Sequence, residues 1–367
     1  MIRVAAVVEQ CWHRIPGGTA TAAMCTLGAL NSLEGIELVG VAACHRRPPP
    51  GDLEPDFDVR QLPVPRRVLY DAWHHLRMPP VELVTGRVDI VHATGGAVPP
   101  AGRARLVATV NDVAFLSHPE WFTRRGARFA VKAFGLIKSR AAAVIAPSQA
   151  TATGLAKHGI DPQRIRVAPL GTARTRAGAD AVAAVRKRYR LPEIFVLWVG
   201  TIEPRKNLTG LLQAAGRTTS RVPIVLAGPQ GWGIRDGEVD ALSRAAGCEV
   251  IRVGFVPSGW LDPLYAAARV LVYPSLMEGF GLPVLEAMAQ GTPVVTSSGT
   301  ATEEVCADPA SVVDPHDVDA MAAAIDWVVT DDVEHARRSA TALSRASELS
   351  WHRTAKLVRS AYEAAVA

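Results

Sequence analysis

The sequence predicts an α/β protein of two doubly wound, Rossmann-like domains, each built on a parallel sheet. Three observations carry that prediction. Short apolar runs alternate with helical stretches along the whole chain. The runs are continuous, without polar residues at every second place, as strands covered on both faces should be. The rhythm occurs twice, once in residues 1–171 and again in residues 172–350.

In the first half, strands are expected at 2–8, 36–43, 88–92, 105–110, 143–146 and 165–168. In the second they are expected at 194–199, 223–227, 249–253, 269–273 and 293–296. The junction falls in 171–192, where Gly, Thr and Arg interrupt the pattern, and a charged helix at 181–190 opens the second half. The Pro-rich stretch 46–67 reads as irregular. Ser350-Trp351 starts a last helix, expected over 351–367.

Composition narrows the function. The chain has 367 residues, 49% of them hydrophobic and 20% charged, with a net charge of +5. That is enough apolar material for two cores and too little positive charge for a nucleic-acid-coating protein. It suits an anionic small molecule or an anionic membrane surface. Five cysteines, an odd number without a C-x-x-C pair, read as reduced thiols in a cytoplasmic protein. The apolar start, Met1 to Val8, is short and followed by Glu9, so it reads as a buried strand and not a signal peptide. No run reaches the roughly 18 apolar residues of a membrane span.

The most informative stretch runs from Pro274 to Ala287. The apolar Val270-Leu271-Val272-Tyr273 enters a turn holding Glu278, Gly279, Phe280, Gly281 and Leu282, and Pro283 then suits a first helical turn. Backbone N–H groups at such a helix start favour an anion. Glu278 and Glu286 flank that seat and cannot bind phosphate themselves. They must accept hydrogen bonds from hydroxyl groups beside it. After the first strand of the second half comes Gly200-Thr201-Ile202-Glu203-Pro204-Arg205-Lys206-Asn207. Its adjacent cations, Arg205 and Lys206, match the charge of a departing nucleoside diphosphate.

Together these two motifs resemble the donor site of retaining glycosyltransferases with the GT-B fold, and the resemblance covers nearly the whole chain. It implies two Rossmann-like domains facing across a cleft, with an acceptor domain at 1–171, a donor nucleotide-sugar domain at 172–350 and the last helix packed back on the first. It implies that Glu278 and the amides after it hold the transferred sugar, and that Glu286 holds the ribose. The loop of Phe255 and Val256 would meet the nucleobase. Gly17 and Gly18, in a loop ahead of a helix starting near Thr21, would lie over the donor phosphates. Members of the family often carry His-Asp where this chain has Asn111-Asp112. Asn keeps hydrogen bonding but carries no proton or positive charge. Asp112 is read equally well as a helix cap or as a contact to acceptor. His92 is read as either lining the acceptor cleft or ending a strand, and Ser148 as a helix N-cap.

No cofactor and no metal are expected, since no Asp or His cluster has ligand spacing and the two cations serve the leaving group. The sequence around His118-Pro119-Glu120-Trp121 and Gly231-Trp232 resembles mannosyl- and rhamnosyl-type enzymes of polysaccharide assembly. That resemblance implies GDP-mannose as donor, with a UDP-hexose next, and a glycan or lipid-linked hydroxyl as acceptor. A basic amphipathic segment at 121–138, with Phe122, Phe129, Ala133 and Leu136 on one face, reads as a core-packed helix or as a contact with an anionic membrane. The latter would put the protein at the inner face of the plasma membrane. The alternatives to an enzyme of this kind are a non-catalytic nucleotide-sugar-binding partner subunit, for which Asn111 speaks, and a GT-B epimerase.

Overall fold

The computed structural model describes residues 1–13, 17–49, 51–234 and 236–367. The chain divides into two compact units, Met1–Gly171 with Ser350–Ala367, and Thr172–Leu349.

The first unit holds β1 (Ile2–Val7), β2 (Ile36–Ala42), β3 (Val59–Gln61), β4 (Ile90–Ala93), β5 (Arg105–Thr109), β6 (Ala143–Ala146) and β7 (Ile165–Val167). The second holds β8 (Val196–Val199), β9 (Ile224–Ala227), β10 (Val250–Gly254), β11 (Val270–Tyr273), β12 (Val294–Ser297) and β13 (Val312–Val313). The sheet orders are β3-β2-β1-β4-β5-β6-β7 and β10-β9-β8-β11-β12-β13. Every pairing is parallel, with Val4 opposite both Leu38 and Ile90 in the first sheet and Leu271 opposite Leu197 and Val294 in the second. The chain winds outward from β1 to β3 and then restarts on the other side at β4; β8 to β11 repeats this. Each reversal makes a switch point, where the loops after neighbouring strands splay apart and leave room for a ligand.

Buried helices explain why the strands read as unbroken apolar runs. Trp198, Val196, Leu211 and Ile325 belong to the core of the second unit. In the first, Val4, Leu27, Ile90 and Tyr362 do so. Each such large side chain contributes about 1.5–3 kcal/mol on burial. Tyr362 comes from the helix Trp351–Val366, which packs on the helix Gly17–Asn31. Ser350 caps its start, its Oγ accepting from Arg353 N at 3.3 Å. The crossing back is tight: a Cβ on Gly171 would lie 2.1 Å from the backbone N of Trp351, so only glycine fits there.

Three sequence expectations need correction. The stretch 46–67 is not irregular throughout, because β3 pairs with β2 as an edge strand. Arg60 and Gln61 face solvent, so no apolar run marks it. The two-residue β13 is likewise too short for a pattern to announce. The helix after β1 begins at Gly17 itself, so Gly17 and Gly18 form its exposed first turn and not a loop before it.

The basic segment is the helix Arg124–Arg140, capped by Thr123 Oγ1, which accepts from Gly126 N at 3.1 Å. Its apolar side is packed inward. Phe129 stacks on Tyr70 and His74 of the helix Arg66–His75, and Ala133, Phe134 and Ile137 are buried. Phe122 lies before the helix and is not part of that face. Arg124, Arg125, Arg128 and Lys132 remain exposed. Among the described residues no helix is long and apolar enough to cross a membrane.

Candidate active site

The two motifs singled out in the second half meet at the β8/β11 switch point. The Leu276 N–H donates to the Arg205 carbonyl at 2.9 Å, tying the loop after β11 to the loop after β8. Pro204–Lys206 forms a single 3-10 turn, and Asn207 then caps the helix Leu208–Arg217 by accepting from Gly210 N at 3.2 Å. This short turn aims both cations at the β11 loop.

Arg205 and Lys206 converge on one carboxylate. Arg205 Nη1 lies 2.8 Å from Glu278 Oε2, and Lys206 Nζ contacts Glu278 Oε1 and the Tyr273 hydroxyl. Arg205 also pairs with Glu203 at 2.7 Å and donates to the Met277 carbonyl at 3.1 Å. Lys206 sits 4.6 Å from the centre of the Tyr273 ring. Burial alone would raise the Glu278 carboxyl, yet Lys206 and Arg205 outweigh it and hold it at about 2. Burial, with Arg205 beside it, pushes the Lys206 ammonium downward despite Glu278. Two cations thus face two carboxylates, Glu278 and Glu203, and the cluster is neutral.

The helix Leu282–Ala289 follows. Gly281 is its N-cap at φ +99°, a left-handed backbone, and a Cβ there would meet the Thr302 side chain at 2.5 Å. Phe280 is buried beneath the turn and Leu282 is half-buried. Glu286, one turn in, has a separate set of partners. Arg174 Nη2 donates to its Oε1 at 2.7 Å and the Tyr265 hydroxyl to its Oε2 at 2.8 Å. Arg174 also pairs with Asp262. Glu286 and Asp262 drive the Arg174 guanidinium upward against the opposing effect of burial.

Across β8 and β9 lies a cavity of about 250 Å³, lined by Trp198, Gly228, Pro229, Gln230, Arg252 and Phe255. Phe255 is 70% exposed and Val256 is buried. Gly200 and Thr201 leave β8 beside this cavity, with Ile202 bridging to Gln230.

The first unit holds the remaining expected residues. The Asn111 carbonyl accepts from Thr151 Oγ1 at 3.3 Å, and its side-chain amide makes no hydrogen bond among the described residues. Asp112 Oδ1 accepts from Ala114 N at 3.0 Å at the entry to the short helix Ala114–Ser117, whose N-cap is Val113. Ser148 caps the helix Gln149–Lys157. His92 does not line an open surface: it is buried between the Tyr362 hydroxyl at 2.7 Å and Thr109 Oγ1 at 2.8 Å.

Sequence reasoning missed Arg174, Asp262, Tyr265 and the Tyr273 hydroxyl. Tyr273 had a signal, as the polar-tipped last residue of a strand five places before Glu278. Arg174 had none, since 112 positions separate it from Glu286.

Two Rossmann-like parallel sheets of this strand order, with a cation–carboxylate cluster at the second switch point, have the architecture of the GT-B glycosyltransferases. Comparison with known proteins agrees. The family described as Glycosyltransferase Family 4 matches residues 16–176, and Glycosyl transferases group 1 matches residues 184–345. The O-antigen chain mannosyltransferase B of Escherichia coli is 33% identical over 278 residues, 71% of this chain and 70% of that protein. The serotype-specific mannosyltransferase WbdA of the same organism is 35% identical over 188 residues, 49% of this chain, which spans only 23% of WbdA. The fold is similar to that of Anabaena HepE, crystallised with UDP and glucose, at a TM-score of 0.75 and 18% identity over 98% of this chain and 99% of that one. The chain belongs to the GT-B glycosyltransferases of these groups and is a glycosyltransferase.

Proposed function

We propose that this glycosyltransferase moves a hexose, mannose first, from a nucleoside diphosphate donor to a hydroxyl of a growing or lipid-linked glycan, with retention at the anomeric carbon. The carrying observation is the convergence of Arg205, Lys206 and Glu278 at the β8/β11 switch point. The diphosphate takes the two cations, displacing part of their hold on Glu278. Glu278 is thereby released toward the sugar hydroxyls, and Glu286 takes the ribose. The cavity at Phe255 takes the base. As the sugar–phosphate bond breaks, the cations stabilise the charge gathering on the leaving phosphate. The same phosphate accepts the acceptor's proton on the face where the new bond forms. The chain supplies orientation and electrostatics, and the two cations do for the leaving group what a divalent metal does elsewhere. Gly17 and Gly18 are assigned to the donor phosphates, and Asn111 and Asp112 to the catalytic side, Asn111 toward the sugar and Asp112 toward the acceptor.

The mannose donor rests on the similarity to the O-antigen mannosyltransferases. GDP-mannose is therefore the first donor and a UDP-hexose the second. For a lipid-linked acceptor, exposed Arg124, Arg125, Arg128 and Lys132, with Val131 exposed on the same helix, offer an anionic membrane a basic rim with an apolar contact. Turnover of GDP-, UDP-, dTDP- and ADP-sugars, with the product's anomeric configuration read by NMR, tests the reading. Transfer only with inversion, or persistent inactivity with every donor, would defeat it.

A further inference from the structure

Glu286 is not a loose carboxylate awaiting a ligand. Arg174 holds one of its oxygens at 2.7 Å and Tyr265 the other at 2.8 Å. Arg174 is itself fixed by Asp262, and the segment carrying it is bolted to the same helix. Gln290 accepts from Ala177 N at 2.8 Å and donates to the Thr175 carbonyl at 3.0 Å. A carboxylate offers about four lone-pair sites, two on each oxygen. Among the described residues these two donors occupy one site per oxygen and leave one per oxygen without a protein donor. A vicinal diol carries two O–H donors and matches that remainder, one hydroxyl to each oxygen. The charges agree with a neutral ligand group: Arg174 between Glu286 and Asp262 leaves one net negative charge. A phosphate is repelled there and a hydroxyl donor is welcome.

We propose that Arg174, with Tyr265, is a positioning residue that presents Glu286 to the ribose diol and so sets the enzyme's preference for ribonucleotide over deoxyribonucleotide donors. This rests on the reading of Glu286 as the ribose ligand. A long acidic side chain left free loses rotamer freedom when it binds, which weakens the contact it makes. Arg174 removes that loss by fixing the carboxylate beforehand.

The test is calorimetric binding of GDP against 2′-deoxy-GDP, with UDP against 2′-deoxy-UDP in parallel, on the whole chain. A hydroxyl bonded to a carboxylate is worth roughly tenfold or more in affinity, so the native protein should prefer the ribonucleotide by about that factor. Arg174→Ala should bring the ratio to within about twofold of unity, Arg174→Lys should restore part of it, and Tyr265→Phe should lower it less than Arg174→Ala does. Glu286→Gln is the control for the parent reading. A full preference in Glu286→Gln overturns the ribose assignment itself. Loss of preference in Glu286→Gln, with full preference kept in Arg174→Ala and Tyr265→Phe, overturns the positioning role alone. Should Arg174→Ala not fold, the isosteric Tyr265→Phe and the cationic Arg174→Lys decide by the same ratio. An equal loss of affinity for both nucleotides in these variants, with the ratio unchanged, means a merely structural contact and also overturns the proposal.

Discussion

The carboxyl edges of the two sheets share a topology and differ in electrostatics. At the edge of the second, Arg205 and Lys206 are matched by Glu278 and Glu203, all largely buried, and Arg174 by Glu286 and Asp262. In the first unit, polar groups are held mainly neutral. Burial pushes His92 down to about 3, and burial with Arg77 nearby pushes His74 to about 4. His92 bonds to two hydroxyls, and His74 accepts from the Val98 amide at 3.1 Å. One buried carboxylate, Glu9, is there too, held by Ala43 N and His45. The difference teaches that one winding pattern serves two chemistries. The edge of the second sheet carries paired charges. In the first unit the buried histidines are held neutral by burial and are hydrogen-bonded within the protein.

The largest expected effect breaks the charged edge outright. Lys206→Ala removes the cation that shares Glu278 with Arg205. Breaking one side of a buried pair costs about 3–5 kcal/mol, shared between stability and function. Turnover should fall by about 100-fold or more, with a lower melting temperature. Steady-state kinetics and a thermal melt check both; native kinetics in the variant would remove the cation from the site.

Glu278→Gln breaks the same cluster from the other side, with a different signature. It frees two cations that the carboxylate otherwise engages. Affinity for the free nucleoside diphosphate should rise by a few fold, since a cation–phosphate bond is worth roughly 1.5–3 kcal/mol and part of that is spent in displacing Glu278. Turnover should still fall by about tenfold or more, because an amide holds the sugar hydroxyls less strongly. Calorimetry with kinetics separates the two. Weaker nucleotide binding in this variant would mean that Glu278 assists the cations and does not compete with them.

How much of this was legible in the sequence follows from how local each feature is. The Glu278–Glu286 stretch and the Arg205-Lys206 pair are local patterns after apolar strands, so composition and spacing exposed them. Their mutual pairing joins residues 72 apart in the chain, and only the β8/β11 adjacency brings them together. Arg174 has no local pattern at all and surfaced only with Glu286. Strands buried on both faces announce themselves by apolar runs, which is why the expected strand 143–146 matches β6 to the residue. The edge strand β3 exposes two of its three side chains and announces nothing.

Acid should distinguish the two units. His92 and His74 are neutral when folded and ordinary when unfolded, so their contribution is complete above the unfolded value of 6.5 and is lost as pH falls toward 4 and 3. Glu278 contributes fully above 4.5 and is lost only as pH falls toward 2. His335, in the second unit, is also pushed down by burial, so the contrast is one of degree. Between pH 6.5 and 4.5 the first unit should lose hydrogen-exchange protection before the second, after correction for intrinsic rates. Earlier loss in the second unit would reverse the assignment.

The smallest effect concerns Asn111, on the hydrogen-bonding side of the comparison. Its backbone is fixed by Thr151 while its side-chain amide has no partner within the described residues. A half-buried amide of this kind is available to a ligand hydroxyl at no internal cost. A neutral hydrogen bond is worth about 0.5–1.5 kcal/mol, so Asn111→Ala should lower kcat/KM by roughly two- to tenfold and leave diphosphate affinity alone. Asn111→His keeps a donor and acceptor and adds the option of a positive charge, so it should preserve or raise activity, with any gain growing below about pH 6.5 as the imidazole protonates. Kinetics of the three proteins at several pH values, beside diphosphate binding, test this. Equal rates in all three would take Asn111 out of the site, and a loss of diphosphate affinity in Asn111→Ala would place it with the charged edge instead of the neutral one.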